Sequence, residues 1–160
     1  MKNQLTNGLI FLFLMYFMIA CNAKKAEPAA GIDKEQIKKE IQAKENEYAA
    51  LYNGAELKNI GYYADDATTF YQNRAPLVGK EAIIEFLKSD LVANTNKISF
   101  VTNEVFVSND GIMVVEIGHY EVVDSTNTAI NTGNYMVLFE KRNGNYYSVR
   151  DMSASDMPIE

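Results

Sequence analysis

The second half of the chain carries four strand-like segments separated by short turn sequences, and this pattern limits the folds open to it. The segments are rich in β-branched and aromatic residues and run over 98–107, 112–123, 128–141 and 145–153. Asn109-Asp110-Gly111 and the pair Asn143-Gly144 are tight-hairpin signals, because glycine and asparagine accept a positive φ. The sequence therefore predicts an antiparallel meander after residue 96.

Helical signals come before the strands. Asp33 and Gln36 are spaced as in a capping box, apolar residues then recur at helical spacing, and Asn53-Gly54 ends the pattern. The lysine and glutamate residues of 33–47 are expected to form the solvated face of this first helix.

The middle of the chain predicts a short second helix over 55–63, a short strand over 68–71 and a third helix over 80–91. Helices followed by a meander indicate an α+β fold. We therefore expect a cone-shaped, curved antiparallel sheet backed by three N-terminal helices.

The N-terminal segment is typical of an export signal. Lys2 is its only charge, and residues 9–20 form an apolar run of twelve residues, which is short of the roughly 20 that a spanning helix needs. The sequence Met18-Ile19-Ala20-Cys21 resembles a lipobox, in which the cysteine receives a diacylglycerol before cleavage. An uncleaved short anchor with an incidental cysteine is the alternative, but we favour lipidation of Cys21 because the run is too short to span.

This interpretation divides the chain into a signal peptide over 1–20, a lipidated cysteine with a flexible tether over 21–32, and a domain over 33–160. Removing Lys2 takes the formal charge from −6 to −7, so nucleic acid and anionic lipid surfaces are poor partners. The expected location is the bacterial cell envelope, with the outer membrane favoured because Asn22, and not aspartate, follows the cysteine.

Four motifs give the domain a family resemblance. YADDATTF (63–70) followed by PLVGKEAIIEFL (76–87) is similar to a segment of the SnoaL-like group. IGHY (117–120) resembles the Gly-x-Tyr strand of that group, and GNYMVLFEKRNGNYYSVRDMSASDMP (133–158) resembles its closing hairpin. The resemblance implies the nuclear transport factor 2-like, cystatin-like fold, the cone-shaped α+β barrel shared with ketosteroid isomerases and polyketide cyclases. That fold hosts binding modules, enzymes and association domains, so it does not decide activity.

Few residues of the domain suggest chemistry. With one histidine and no cysteine after residue 21, neither a zinc site nor another metal is expected, and no motif calls for a cofactor. Asp65 and Asp66 are candidates for a pocket carboxylate, although a turn role is the favoured interpretation. Tyr52 and Tyr71 are among the tyrosines expected to offer hydroxyl groups to a ligand.

His119 and Asp151 form the strongest candidate pair. Met113, Val115, Ile117 and His119 share one face of a strand by the period-2 rule, and their apolar character predicts that this face points into the cone. Asp151 points inward if no bulge shifts the last strand. The two side chains are therefore expected to meet, although separate structural roles for the two groups are the favoured interpretation.

Three functions are compatible with these observations. The favoured one is a non-enzymatic module that binds a small apolar or carbonyl-bearing molecule. The second is an isomerase, cyclase or dehydratase that uses a pocket carboxylate or His119 as base. The third is a dimerisation module without catalysis. A homodimer is expected in any case, because Met136 and Leu138 make the second face of their strand apolar, and such a face needs cover.

Overall fold

The computed structural model describes residues 31–93 and 95–158. The expected signal peptide, Cys21 and all but the last two residues of the expected tether lie outside the described residues. Within the described ranges, no helix is long and apolar enough to cross a membrane.

In the part of the chain that the structure describes, two α-helices precede the meander: α1 spans Lys34–Asn53 and α2 spans Lys80–Ala93. The backbone N–H of Gln36 donates a hydrogen bond to Asp33 Oδ1 at 3.0 Å, so Asp33 caps α1 as the sequence predicts. Gly54 follows α1, and its N–H donates to the Ala50 carbonyl. Both helices confirm the sequence-based bounds to within two residues.

Six strands form one sheet in the spatial order β2-β1-β6-β5-β4-β3. They are β1 (Tyr63–Phe70), β2 (Leu77–Val78), β3 (Lys97–Val107), β4 (Met113–Val123), β5 (Ala129–Arg142) and β6 (Asn145–Ser155). The four long strands β3 to β6 form the predicted antiparallel meander. Only the β1–β6 pair of this sheet is parallel. The fold class, α+β with a curved sheet backed by helices, is confirmed.

The segment between α1 and α2 differs from the prediction. Instead of a second α-helix it holds one turn of 3-10 helix, Leu57–Asn59, and β1 then begins at Tyr63. Ala55 has a φ of 57°, which lies in the left-handed region and prevents α-helix from continuing. Tyr63 pairs with Ser148 of β6, so the aromatic residues expected at a helix end extend the sheet instead.

The core lies between the helices and the concave face of the sheet. Helix α1 contributes Ile37, Ile41, Tyr48 and Tyr52, and α2 contributes Ile83 and Leu87. The inward residues of β4 and β5 alternate along each strand, as expected for a sheet with one covered face. This packing leaves a space near the C-terminal end of α1.

Candidate functional site

A cavity of about 210 Å³ opens between the helices and the concave face of the sheet. An apolar cavity of about 150 Å³ holds a benzene molecule, so this one has room for a single ring with a short substituent. Seven tyrosines line it: Tyr48, Tyr52, Tyr62, Tyr63, Tyr71, Tyr120 and Tyr135. Among the described residues that line it, none is a lysine, arginine or histidine.

Two of these tyrosines owe their position to glycine residues on the neighbouring strand. Gly118 of β4 pairs with Tyr135 of β5, and Tyr120 of β4 pairs with Gly133 of β5. A Cβ at Gly118 would lie 2.3 Å from Tyr135 Cζ, and one at Gly133 would lie 2.5 Å from Tyr120 Cζ. Each ring therefore lies flat over a glycine, and the two Gly-x-Tyr sequences form a reciprocal pair that lines the cavity.

Asp151 of β6 is the carboxyl group that faces this cavity from the sheet. The Tyr63 hydroxyl lies 3.5 Å from Asp151 Oδ2, a long hydrogen bond. Burial, and then the charge of Glu116, raise the pKa of Asp151 to about 7, although the Tyr63 hydroxyl lowers it in part. An aspartic acid whose pKa lies near neutral pH can both donate and accept a proton. Because Asp151 lines the cavity, the expectation that it points into the cone is confirmed.

A pair of buried carboxyl groups lies beside the cavity. Glu45 of α1 is 1% exposed and Glu116 of β4 is 0% exposed. The Tyr62 hydroxyl donates to Glu45 Oε1 at 2.5 Å, while Thr102 and Tyr135 donate to Glu116 Oε1 at 2.5 and 2.8 Å.

Burial favours the protonated form of both carboxyl groups in this pair. Burial, and then the Glu116 charge, raise the pKa of Glu45 well above its usual value, and burial raises that of Glu116. Glu116 Oε2 is buried and receives no hydrogen bond from a hydroxyl or amide group. A protonated Glu45 carboxyl can donate to this oxygen, and the raised pKa of Glu45 favours that protonation state.

The opposite wall of the cavity joins the two helices. The Tyr52 hydroxyl in α1 donates a hydrogen bond to Asp90 Oδ2 in α2. The ring centroids of Tyr71 and Phe86 lie 4.9 Å apart with the ring planes tilted by 48°, and the Arg74 guanidinium lies 4.0 Å from the Phe86 centroid. Tyr52 and Tyr71, which the sequence analysis gives as ligand-binding candidates, both line the cavity.

His119 does not lie in the cavity, and the expected His119–Asp151 pair is wrong. Val114, Glu116 and Gly118 are the buried residues of β4, so the face that carries His119 points outward. His119 is exposed, and its Nδ1 lies 3.1 Å from Asn103 Oδ1. The error arose because the outward face of β4 is the more apolar one, while the inward face carries a buried carboxyl.

Asp65 and Asp66 are also outside the cavity. Both are exposed and lie within β1, where the register between β1 and β6 shifts, and neither ends a helix nor forms a turn. Asp66 forms a two-pronged ion pair with Arg142, at 2.7 and 3.1 Å. This cation, which also contacts Glu140, holds the pKa of Asp66 below its usual value. The pocket-carboxylate interpretation is therefore wrong for both residues.

The two buried carboxyl groups in and beside the cavity were not among the residues predicted from the sequence. Glu45 was assigned to the solvated face of α1, yet it lies four residues after Ile41 and three before Tyr48, both buried. That spacing was the available signal. Glu116 had no such signal, because its partners Thr102 and Tyr135 come from other strands.

Metal binding finds no support in these side chains. Within 31–93 and 95–158, no group of three or more histidine, cysteine, aspartate or glutamate residues is arranged to hold a metal ion.

Comparison with known proteins identifies the fold. No protein-family model matches the sequence, and no curated protein is significantly similar to it. A Nostoc punctiforme protein of unknown function with a cystatin-like fold matches with a TM-score of 0.65 at 14% identity, over 76% of this chain and 92% of its own.

Two further structures agree. A nuclear transport factor 2-like protein with a cystatin-like fold from Novosphingobium aromaticivorans has a TM-score of 0.61 at 15% identity, covering 96% of this chain and 91% of its own. A ketosteroid isomerase-like protein from Erwinia carotovora has a TM-score of 0.61 at 20% identity, over 75% and 96%. The chain has the nuclear transport factor 2-like, cystatin-like fold. At these identities the likeness shows the fold alone, and the function has to be argued from the cavity.

Proposed function

We propose that the cavity binds one small organic molecule, about one ring in size, that is apolar or carries a carbonyl group. The observation that carries this proposal is Asp151, a carboxyl group in a tyrosine-lined cavity. Because its pKa is about 7, Asp151 holds a proton in a large fraction of molecules at neutral pH. A protonated carboxyl and a tyrosine hydroxyl such as that of Tyr63 are both donors that a carbonyl oxygen accepts.

The composition of the cavity wall supports this choice of ligand. The tyrosine rings offer apolar faces to a ring or an alkyl group, and stacking on them adds about 0.5–1.5 kcal/mol per pair. Glu45, Asp90 and Asp151 all line the cavity, so an anionic ligand is disfavoured. The volume of about 210 Å³ excludes a molecule as large as a steroid.

An isomerase, cyclase or dehydratase is the second candidate, and one observation favours it. A general acid or base works best when its pKa lies near the operating pH, and that of Asp151 is about 7. Asp151 then takes a proton from the carbon next to a bound carbonyl, and the Tyr63 hydroxyl donates to the oxygen. His119 has no part in this alternative, because it lies on the outer face.

Mass spectrometry of the intact protein tests the binding proposal directly. The full chain, purified without added ligand, is expected to retain a small molecule that dissociates under collisional activation. Acetophenone serves as the probe if the cavity is emptied on purification, and calorimetry measures its affinity. A chain that retains nothing and binds no acetophenone would contradict the proposal.

The same probe separates binding from catalysis. In D₂O, an enzyme that abstracts a proton next to the carbonyl exchanges the methyl hydrogens of acetophenone for deuterium, and proton NMR detects the loss of signal. Binding without exchange supports a binding module. Exchange with a rate that depends on an ionisation near pH 7, and that disappears in Asp151→Asn, supports the enzyme.

We also propose that the protein is anchored in the bacterial cell envelope through a lipid on Cys21, with the outer membrane as the expected site. Two acyl chains hold a protein stably at a bilayer, because each buried methylene contributes about 0.8 kcal/mol. Cys21→Ser is expected to release the protein from the membrane fraction, since serine cannot form the thioether. Incorporation of labelled fatty acid into the Cys21→Ser protein would contradict lipidation at this position.

A further inference from the structure

A second cavity adjoins the first at the ends of the two helices. It has a volume of about 260 Å³ and is lined by Tyr52, Asp90, Asn96, Ile98, Val122, Ile130 and Asn131. We call the cavity that Asp151 faces the inner cavity and this one the outer cavity. Tyr52, Asp90 and Ile98 line both.

The shared residues form a wall between the two cavities, and a hydrogen bond in this wall joins the two helices. Tyr52 lies in the last turn of α1 and Asp90 in the last turn of α2, and the Tyr52 hydroxyl donates to the Asp90 carboxylate. Burial, and then Asp90, raise the pKa of Tyr52 above its usual value, so this hydroxyl keeps its proton and remains a donor.

Ile98, the third residue of the wall, is fixed by hydrogen bonds of its backbone. Asn53, next to Tyr52, donates to the Ile98 carbonyl at 2.9 Å and accepts from the Ile98 N–H at 2.9 Å. These two bonds fix the end of α1 against β3. The side chains of Tyr52 and Asp90 are therefore the part of the wall that can open without a change of the backbone.

We propose that the Tyr52–Asp90 hydrogen bond sets the length of ligand that the inner cavity accepts. Opening it would join the two cavities and more than double the available space. Ile98, Val122 and Ile130 give the outer cavity an aliphatic wall, which suits the alkyl tail of a molecule whose polar group stays at Asp151. The ligand class is thus a compact ring compound when the wall is closed and a ring compound with an alkyl tail when it is open.

This inference rests on the proposed binding function, and a series of alkyl phenyl ketones from acetophenone to octanophenone tests both. Calorimetry measures the affinity of each ketone for the full-length chain and for Tyr52→Ala, which removes the wall. Asp90→Ala removes the same bond from the other helix, and it answers the question if Tyr52→Ala fails to fold. Val92→Ala is the matched control, because Val92 lies in the same last turn of α2 as Asp90, is 90% exposed and lines neither cavity.

The wild-type chain is expected to lose affinity as the alkyl chain outgrows the inner cavity. Tyr52→Ala and Asp90→Ala are expected to bind octanophenone about tenfold more tightly than the wild type does. Burying only a few additional methylene groups of the ligand in the outer cavity is enough for a change of this size. Val92→Ala is expected to keep the wild-type dependence on chain length. Tyr52→Phe, which keeps the ring and loses the hydrogen bond, should lie between wild type and Tyr52→Ala.

Two outcomes overturn the inference in distinguishable ways. If the wild type binds acetophenone and the wall variants show the same chain-length dependence as the wild type and Val92→Ala, then the wall does not set ligand length but the binding function stands. If no ketone binds the wild type or any folded variant, then the binding function fails and the role of the wall fails with it.

Discussion

The inward and outward faces of the central strands β4 and β5 carry different kinds of side chain. On β4 and β5 the inward face carries Glu116 and Tyr135, with hydroxyl and carboxyl groups among its apolar neighbours. The outward face carries aliphatic side chains, including Met136, which is 45% exposed. A buried carboxyl group therefore lies on the covered face of these strands, while aliphatic side chains such as Met136 remain exposed on the open face. Glu116 and Tyr135 can be buried here because the Tyr135 hydroxyl donates to Glu116, and the Thr102 hydroxyl of β3 donates to the same carboxyl oxygen.

The glycines of the inner face are expected to show the largest effect. Gly118→Ala should lower the free energy of unfolding by about 3 kcal/mol, as overpacking does in cores. The new Cβ would lie 2.3 Å from Tyr135 Cζ and 2.5 Å from the Val101 carbonyl oxygen, which is backbone and cannot move aside. Urea denaturation measures the change.

Gly61→Ala provides the control for this substitution. No heavy atom lies within 4 Å of a Cβ at Gly61, so this variant should stay within about 0.5 kcal/mol of the wild type. Equal stabilities of Gly118→Ala and Gly61→Ala would mean that the tyrosine rings do not lie over the glycines.

The buried carboxyl pair gives the next largest effect. Glu45→Ala should lower the free energy of unfolding by about 2–3 kcal/mol, because Tyr62 and Glu116 lose a buried partner. Glu45→Gln should be at least as stable as the wild type at pH 8, since glutamine accepts from Tyr62 and donates to Glu116 without an ionisable proton.

The pH dependence of stability checks this account of Glu45. The folded state keeps a proton that the unfolded state releases above about pH 4, so the free energy of unfolding of the wild type falls as the pH rises. Glu45→Gln should show less of this decline. A Glu45→Gln protein that loses stability with pH as steeply as the wild type would contradict the protonation of Glu45 in the folded state.

The outer face is expected to matter for assembly and little for folding. The apolar side chains of its patch are Phe70, Val115, Met136, Leu138 and Met152, and Arg150 and Asp151 also line it. We propose that a second copy of the chain covers this patch, so Met136→Lys should convert a dimer to a monomer in light scattering. The free energy of unfolding of the monomer should change by less than about 0.5 kcal/mol, because the side chain is already exposed.

Val92→Lys is the control for the dimer, because Val92 is 90% exposed on α2, away from this patch. It should leave the dimer intact. A wild-type chain that is monomeric at micromolar concentration would contradict the proposed covering of the outer face.

The contrast between the faces also explains what sequence reasoning could reach. Turn residues such as Asn143-Gly144 and the capping pair Asp33 and Gln36 act locally, so the elements and the fold class were predictable from them. Which face of β4 points inward was not predictable from the sequence. The side chains that interact with Glu116 on this inward face come from β3, β5 and α1. Periodicity assigns two faces to a strand, but it cannot say which one is covered when both are apolar.

The orientation of Asp151 was also predicted from strand periodicity, and in this case the prediction is correct. Its inward orientation followed from Val149, two residues before it, and the two do share a face. The residues that meet it in space, such as Tyr63, come from a strand 88 positions away and could not be assigned from spacing. The cavity residues contributed by β4 were therefore missed, while the anchor on β6 was found.

The pH dependence of acetophenone affinity tests most directly whether protonated Asp151 anchors a carbonyl ligand. Only the protonated carboxyl donates a hydrogen bond, so wild-type affinity should be constant below pH 7 and fall by up to about tenfold per pH unit above it. Asp151→Asn keeps a donor at every pH and should show no such fall. Ethylbenzene, which lacks the carbonyl, should bind the wild type without this dependence. A wild-type affinity for acetophenone that stays constant from pH 6 to pH 9 would contradict the role of Asp151.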